Sequence, residues 1–291
     1  MKYFFLICCS LISTPSFSQN NDLNFFRITS VYTSFPDTAR AKGHIYNNVL
    51  YDAATHYMDN SVLIIAPKKL NASKKVDFVF WFHGWGNNID SAAVRHEIIK
   101  QFSDSKLNAV LVLAETAKNA PDSYGGKLEY NNTFKELVTD IMQELRKEKA
   151  VSNKSEPGNI ILAGHSGAYR VMAFILANGN LPVQEVILFD ALYGQTDKYL
   201  NWIQSDNSHR LIDIYTDGGG TDAASKEMAD QLMKLNISTV RIEEKDLTAQ
   251  IVSAQKIIFI HSLHRHNDII NNPDNFQLFL ENTSFLKKLK E

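Results

Sequence analysis

Short runs of β-branched and aromatic residues recur along this chain, and stretches with helical spacing separate them. The runs lie at residues 61–66, 76–82, 109–114, 159–163, 185–189, 210–215 and 256–260. The central runs are apolar at nearly every position, which is typical of strands in a parallel sheet covered on both faces. Strands that alternate with helices connect by right-handed crossovers. The pattern therefore predicts an α/β fold with a doubly wound, mostly parallel sheet of about eight strands and helices on both faces.

The clearest helical pattern lies at residues 133–148. Its apolar residues share one face of a helix: Phe134, Leu137, Val138, Ile141 and Leu145. Thr133 and Glu136 are spaced as a capping box at its start. Similar patterns predict helices over residues 92–102, 168–176, 222–235 and from 273 to the end. Two earlier segments, residues 27–33 and 45–51, are candidates for edge strands that begin the sheet.

Residues 1–18 combine a charged start, an apolar run at residues 3–12 and small residues before Ser18. This order is typical of a secretory signal peptide, so we expect cleavage near Ser18, a single domain over residues 19–291 and a secreted or periplasmic protein. No stretch reaches the roughly 18 apolar residues of a membrane span. Cys8 and Cys9 both lie in this segment, so we expect no thiol in the mature chain for disulfides, nucleophiles or metals.

The charge balance restricts the partners that this chain can bind. There are 30 Lys and Arg against 32 Asp and Glu, giving a formal net charge of −2. Without a positive surplus, neither nucleic acid nor an anionic membrane surface is an expected partner. The sequence also contains no H-E-x-x-H, phosphate-binding loop or dinucleotide fingerprint, so we expect no cofactor.

The strongest motif follows the apolar run at residues 159–163. Residues 164–168 read Gly-His-Ser-Gly-Ala and lead into a predicted helix. A serine on a sharp strand-to-helix turn is held in a strained conformation, and only small residues two positions before and after it avoid a clash. The strain exposes the hydroxyl, and the helix start offers amides to a developing oxyanion. We therefore predict that Ser166 is a nucleophile.

A second motif ends the run at residues 76–82, where residues 83–86 read His-Gly-Trp-Gly. With both motifs the sequence resembles the α/β-hydrolase superfamily, in which a His-Gly-x-Gly loop supplies one amide of the oxyanion hole and the serine turn supplies the other. The resemblance implies that the amides of Trp85 and Gly167 form this hole. Residues 165–170 and 189–194 are also similar to a group of secreted bacterial hydrolase-like proteins.

A serine hydroxyl needs a base to take its proton, and the base needs a third group to orient it. In the superfamily the order along the chain is serine, acid, histidine. Three histidines follow the last apolar run: His261, His264 and His266. We favour His266, because it comes last in this loop and can fold back over Ser166.

Two aspartates are candidates for the acid. Asp190 follows the first apolar run after Ser166, and Asp217 follows the next one. The position of Asp217 is the more common one in the superfamily, whereas Phe-Asp-Ala at residues 189–191 resembles hydrolases that take the acid from the earlier strand. We favour Asp190 because it follows a fully apolar run and should be buried; Asp217 remains the alternative.

A metal site is a weaker interpretation of the same region. Residues 264–268 read His-Arg-His-Asn-Asp and match the H-x-H-x-D fragment of dinuclear zinc hydrolases. Those enzymes have a further histidine directly after the aspartate and need additional ligands, whereas Ile269 follows here and little chain remains. We therefore expect no metal.

Candidate substrate-binding residues lie around these motifs. They are His83, Tyr124, Tyr169 and Tyr193, and the rings of the tyrosines and of Trp85 can stack on a sugar or hold an acyl group. No long apolar insertion forms a lid between the two candidate acids, so we expect a carboxylesterase with a small-molecule or glycan acyl substrate rather than a lipase. An amidase or peptidase would use the same residues. A binding protein that keeps the fold without activity is the alternative from another class.

Overall fold

A computed structural model describes residues 22–72 and 74–290. The predicted signal peptide at residues 1–18 lies outside the described residues and stays a prediction. Within the described part of the chain, no helix is both long and apolar enough to cross a lipid bilayer.

Strands and helices alternate over most of the chain. The strands are β1 (Leu23–Thr29), β2 (His44–Tyr46), β3 (Val49–Tyr51), β4 (Ser61–Pro67), β5 (Lys75–Phe82), β6 (Val110–Ala114), β7 (Glu156–His165), β8 (Glu185–Phe189), β9 (Arg210–Thr216), β10 (Val240–Glu243) and β11 (Ile257–Ser262). The helices are α1 (Ala53–His56), α2 (Ile89–Arg95), α3 (Ile98–Asp104), α4 (Thr133–Lys147), α5 (Tyr169–Asn178), α6 (Thr196–Ser205), α7 (Asp222–Lys234), α8 (Ala249–Ala254) and α9 (Asn275–Glu281).

One large sheet organises the fold. Its nine strands lie in the order β1-β4-β6-β5-β7-β8-β9-β11-β10. The pairs β1–β4 and β4–β6 are antiparallel, and every pair from β6 to β10 is parallel. The predicted doubly wound, mostly parallel sheet is confirmed, with one strand more than expected. The carboxyl ends of β5, β7, β8, β9 and β11 therefore meet at one edge, where open α/β sheets bind ligands.

Both faces of the sheet are covered, which explains why its central strands are apolar at successive positions. In β5, Phe78, Phe80 and Phe82 pack into the cluster beneath α4 to α7, whereas Val79 and Trp81 face the cluster with α2, α3, α8 and α9. All of these side chains are buried. The hydrophobic core thus holds the strands rigidly up to the edge where their polar residues begin.

Of the two strands predicted near the amino terminus, only the first joins the main sheet. Residues 27–33 were expected to contribute an edge strand, and β1 is an edge strand of the sheet, ending at Thr29. Residues 45–51 instead form most of a separate two-stranded hairpin, β2–β3. The cause is local, because Asn47 and Asn48 have φ angles of 48° and 62° and make the two-residue turn that joins antiparallel strands directly.

Three helix predictions need correction. The helix expected over residues 92–102 is two helices, α2 and α3, because Glu97 between them has a φ of 49°. The capping box of Thr133 does not form: Asn132 is the cap residue, in the left-handed region, and makes no side-chain cap bond. The last helix starts at Asn275 and ends at Glu281, after which Lys288 forms a β-bridge with Leu107.

Candidate active site

Ser166 occupies the turn between β7 and α5. Its φ of 54° lies in the left-handed region, which is strained for a serine. A short 3-10 helix, Ser166–Ala168, leads directly into α5. The turn is as tight as the motif requires, since a Cβ added to Gly164 would lie 2.7 Å from the Cβ of Ala168. The strain is thus held in place by close packing on both sides of the serine.

The loop after β5 lies against this turn. A Cβ added to Gly84 would lie 2.7 Å from the Cβ of Ser166, and one added to Gly167 would lie 2.4 Å from Cδ1 of Trp85. Two backbone segments can approach so closely only because both positions are glycine. Trp85 and Gly167, whose amides are the candidates for an oxyanion hole, therefore lie on facing segments beside Ser166.

His266 pairs with Asp190 at the same edge of the sheet. The Nδ1 atom of His266 lies 2.7 Å from Oδ2 of Asp190, and the histidine side chain is 27% exposed. With Nδ1–H donating to the carboxylate, the lone pair of Nε2 can accept a proton from another group. Asp190 is thus the candidate acid that the structure brings to His266.

The carboxylate of Asp190 is buried and surrounded by donors. The hydroxyl of Thr216 donates to Oδ2 at 2.6 Å, and the hydroxyl of Thr221 donates to Oδ1. Burial by itself raises the pKa of Asp190, but the hydrogen bonds from His266, Thr216 and Thr221 outweigh it and hold the pKa below its ordinary value. Asp190 therefore stays ionised near neutral pH, as a group that stabilises an imidazolium must.

His165, directly before Ser166, connects the turn to the His266 loop. Its Nε2–H donates to the carbonyl oxygen of His266 at 2.9 Å, and the two rings are 4.4 Å apart between centroids. Burial first, and then the charges of His266 and His96, lower the pKa of His165 well below its ordinary value. His165 is therefore neutral and holds His266 beside the serine turn. His165 lies inside the serine motif, but the motif predicts no role for it, because its partner His266 is distant in the sequence.

Asp217, the alternative acid, pairs with a different histidine. Its Oδ1 atom lies 2.9 Å from Nε2 of His261, and the other ring nitrogen of His261 lies 2.9 Å from Oε2 of Glu243. Hydrogen bonding to Asp217 raises the pKa of His261, and Glu243 adds to this effect. His264 lies near Glu244, with 3.8 Å between Nε2 and Oε2. Since His266 pairs with Asp190, the three histidines have no carboxylate partner in common.

The H-x-H-x-D fragment does not gather its own side chains. In the described part of the chain, the residues whose ligand atoms all lie within 4.8 Å of one another are Asp217, Asp222 and His261. His264 and His266 belong to separate ion pairs. The dinuclear arrangement that the fragment suggested is therefore not assembled from these residues.

His83 needs correction as a substrate-binding residue. Its Nε2 atom lies 2.6 Å from Oε1 of Glu115 and 2.9 Å from Oγ1 of Thr116, and its Nδ1 atom lies 2.8 Å from the carbonyl oxygen of Gly84. The ring is buried, so neither nitrogen is available to a substrate. These hydrogen bonds instead let His83 anchor the loop that follows β5. Its partner Glu115 has no signal in the sequence, because the two residues follow separate strands, β5 and β6.

The three tyrosines predicted to bind substrate differ in their exposure to solvent. Tyr193 is exposed; its hydroxyl donates to the carbonyl oxygen of Gly219 and also interacts with the side chain of Ser166. Burial of its hydroxyl, and then the charge of Asp190, raise the pKa of Tyr193 to about 12. The ring of Tyr169 lies 5.9 Å from that of Tyr193. Tyr193 therefore borders the serine, and Tyr169 packs beside Tyr193.

Tyr124 is more enclosed than these two rings. Its hydroxyl lies 3.1 Å from Oδ1 of Asp37, and the guanidinium groups of Arg40 and Arg170 lie 4.7 and 5.3 Å from its ring centroid. It lines a small cleft together with Ser123, Gly167 and other residues. Tyr124 therefore forms part of the wall rather than an open stacking surface.

Two larger cavities among the described residues lie elsewhere. One is lined by residues such as Leu23, Pro67 and Leu107, and another by residues such as His209 and Ile257. Both are at the amino ends of the parallel strands, opposite the edge that carries Ser166. Cavity size alone therefore does not identify the reactive site in this fold.

Comparisons with known proteins agree with this architecture. No family model and no curated protein matches the chain. Among solved structures, the substrate-bound fluorophosphonate-binding serine hydrolase F of Staphylococcus aureus is 11% identical with a TM-score of 0.51, covering 90% of this chain and 100% of that one. A mutant of the feruloyl esterase module from Clostridium thermocellum, complexed with sinapinate, is 11% identical with a TM-score of 0.53 and coverages of 94% and 92%.

A third structure is a ferulic acid esterase of the anaerobic fungus Anaeromyces mucronatus. It is 14% identical with a TM-score of 0.50, covering 91% of this chain and 93% of that one. At such low identity the similarity shows the fold alone. This chain has the α/β-hydrolase fold, as the resemblance in its sequence implied.

Proposed function

We propose that this α/β-hydrolase-fold protein is an exported serine hydrolase that cleaves carboxylic esters. The observation that carries the proposal is the 2.7 Å contact between Nδ1 of His266 and the buried carboxylate of Asp190, next to a strained serine turn. A histidine oriented in this way can act as a base, and a serine in this conformation can act as a nucleophile. The likeness in fold to esterases supports an ester as the substrate.

The mechanism begins with proton transfer from Ser166 to Nε2 of His266 while the serine oxygen attacks the ester carbonyl carbon. Asp190 stabilises the imidazolium that forms, and the amides of Trp85 and Gly167 stabilise the negative oxygen of the tetrahedral intermediate. Collapse of the intermediate breaks the bond to the alcohol, which leaves with the proton from His266. Water then attacks the acyl-enzyme with the same histidine as base, releasing the acid and restoring Ser166.

A fluorophosphonate probe and matched substrates test this proposal. Wild-type protein should take the label and hydrolyse p-nitrophenyl acetate, whereas Ser166→Ala should lose the label and at least about 10⁴-fold in kcat. Ser208→Ala, at an exposed serine in the loop before β9, is the matched control and should behave as wild type. An unlabelled wild type would indicate a binding protein on a hydrolase scaffold.

The preference for esters is tested with an amide that has the same acyl group. The proposed esterase should hydrolyse p-nitrophenyl acetate much faster than p-nitroacetanilide, because the amine is a poorer leaving group than the phenol. Comparable catalytic enhancement on the amide would indicate an amidase or peptidase instead. Export is tested separately: the secreted or periplasmic protein should begin at residue 19 on amino-terminal sequencing.

A further inference from the structure

The hairpin β2–β3 stands outside the main sheet and beside the serine turn. Its base is fixed by Gly43, which has a φ of 80° and at which an added Cβ would lie 2.2 Å from the carbonyl oxygen of Tyr51. Only glycine allows the chain to pass so close to its partner strand. Its tip is the tight turn of Asn47 and Asn48. The hairpin is therefore a shaped element with a defined orientation rather than an irregular loop.

The two faces of this hairpin have different surroundings. Tyr46 is paired with Val49, and Ile45 is paired with Leu50, so alternation places these pairs on opposite faces. The Tyr46 ring meets the ring of Trp85 edge to face, with centroids 5.2 Å apart. The opposite face carries Ile45, which is 67% exposed. Only the Tyr46 face is continuous with the candidate active site.

Trp85 extends this surface as far as the nucleophile. Its indole packs on Gly167, the residue directly after Ser166, where an added Cβ would lie 2.4 Å from Cδ1. Trp85 is nevertheless 45% exposed and Tyr46 is 37% exposed, although both are large aromatic rings. An aromatic surface thus runs without interruption from the serine turn to the hairpin. Exposed aromatic rings beside a reactive centre are a typical means of binding a ligand.

Two of the polar side chains beside this surface, Ser123 and Asp122, already have hydrogen-bonding partners. The indole N–H of Trp85 donates to Oγ of Ser123 at 2.6 Å, and the neighbouring Asp122 accepts from Nε of Arg40 at 2.6 Å. A sugar ring stacked here would need hydrogen-bonding partners for its hydroxyls. A planar apolar group needs only the ring faces and edges that Tyr46 and Trp85 offer.

We infer that Tyr46 and Trp85 form a stacking surface for an aryl group carried by the ester substrate. The inference rests on the proposed esterase function and narrows its substrate to esters with an aryl group on the acyl or the alcohol side. Both kinds of ester share the chemistry that the surface recognises. The catalytic residues are those already named, and Tyr46 determines specificity without taking part in proton transfer.

Two matched pairs of esters test the inference. Methyl 3-phenylpropanoate against methyl butanoate places the aryl group on the acyl side, and benzyl acetate against butyl acetate places it on the alcohol side. Wild-type protein should show a kcat/KM about tenfold higher for the aryl ester in one of the pairs. Tyr46→Ala should lower that ratio by a factor of about three to ten, and Tyr46→Phe, which keeps the ring, should retain it.

Ile45→Ala, on the opposite face of the same hairpin, is the matched control and should leave the ratio unchanged. Tyr46→Leu keeps an apolar side chain without a ring, so it serves if the alanine variant does not fold. The inference is overturned if neither aryl ester is preferred, or if Ile45→Ala lowers the ratio as much as Tyr46→Ala. In that case, Ser166-dependent hydrolysis of methyl butanoate would leave the proposed function standing, and its absence would refute both.

Discussion

Two histidine–aspartate pairs lie at the same edge of the sheet, and their contact distances are nearly equal. His266 and Asp190 approach to 2.7 Å, and His261 and Asp217 to 2.9 Å. Their carboxylates differ completely in exposure, since the side chain of Asp190 is 0% exposed and that of Asp217 is 68% exposed. The distance between the two groups therefore does not by itself identify the pair that could act in catalysis.

The partners of each imidazole make the distinction. Both nitrogens of His261 face carboxylates, those of Asp217 and Glu243, so this ring has no free lone pair with which to act as a base. His266 uses Nδ1 for Asp190, and its backbone carbonyl accepts from His165. A catalytic histidine needs one nitrogen oriented by an acid and the other directed at the nucleophile. His266 meets the first requirement, whereas both nitrogens of His261 already face carboxylates, so we propose His266 rather than His261 as the base.

The largest effect should come from Asp190→Asn. An asparagine keeps the shape but favours the wrong tautomer of His266, so kcat/KM should fall about 10⁴-fold, whereas Asp217→Asn should change it less than about threefold. Steady-state hydrolysis of p-nitrophenyl acetate measures both variants. An equal loss from Asp217→Asn would contradict the distinction between the pairs.

A third pair, His83 and Glu115, extends the comparison, because both of its side chains are buried. Glu115→Ala removes the ion-pair partner of the buried His83 in the loop after β5, so it should lower the free energy of unfolding by about 3–5 kcal/mol. Asp217→Ala, which breaks an exposed pair, should lower it by no more than about 1 kcal/mol. Urea denaturation gives both values. Similar values for the two variants would show that burial does not set the strength of these pairs.

His165 tests whether His266 must be held beside the serine turn. His165→Phe removes the donor to the carbonyl of His266 while filling a similar volume, so kcat should fall about tenfold with little change in KM. His96→Phe is the matched control. The two ring nitrogens of His96 are buried with no hydrogen-bond partner among the described residues, so this variant should keep its activity. A purely structural role of His165 would lower stability without this selective loss of kcat.

The smallest predicted effect is the pH dependence of the stability that the exposed His261–Asp217 pair contributes. Because the pKa of His261 is raised in the folded protein, its ion pairs add stability below the ordinary histidine pKa of about 6.5, and this contribution is lost as the pH rises through the raised value. Solvent screening limits it to about 1 kcal/mol or less. The free energies of unfolding of wild type and His261→Gln should therefore differ most in mild acid and converge above neutral pH. A difference that grows with pH would reverse the assigned sign.

Much of the sheet and the serine turn could be predicted because their signals are local. Apolar runs mark the buried strands. The residues after β5, β7 and β8 lie at one edge of the sheet because these strands are parallel. The strand β10 was missed because it lies at the edge of the sheet with half-exposed residues, so it has no apolar run. The hairpin was interpreted as one strand, although the pair Asn47 and Asn48 in its middle is a turn signal.

The choice between the two acids could not be settled from the sequence, because both aspartates follow apolar strands. What separates them is contact with residues distant in the chain. Thr216 and Thr221 donate to the carboxylate of Asp190, and Gly219 packs so closely that an added Cβ would overlap it. The pairing of His83 with Glu115 was hidden for the same reason. Burial and donor count are properties of the folded chain, which a motif does not contain.

The rate of covalent labelling at Ser166 tests the central claim most directly. Wild-type protein, Asp190→Asn and Asp217→Asn are each reacted with a fluorophosphonate, and the modified peptide is identified by mass spectrometry over time. We expect the label on Ser166, a rate in Asp190→Asn that is lower by orders of magnitude, and a rate in Asp217→Asn close to that of wild type. Labelling at another serine, or equal slowing in both variants, would contradict the account.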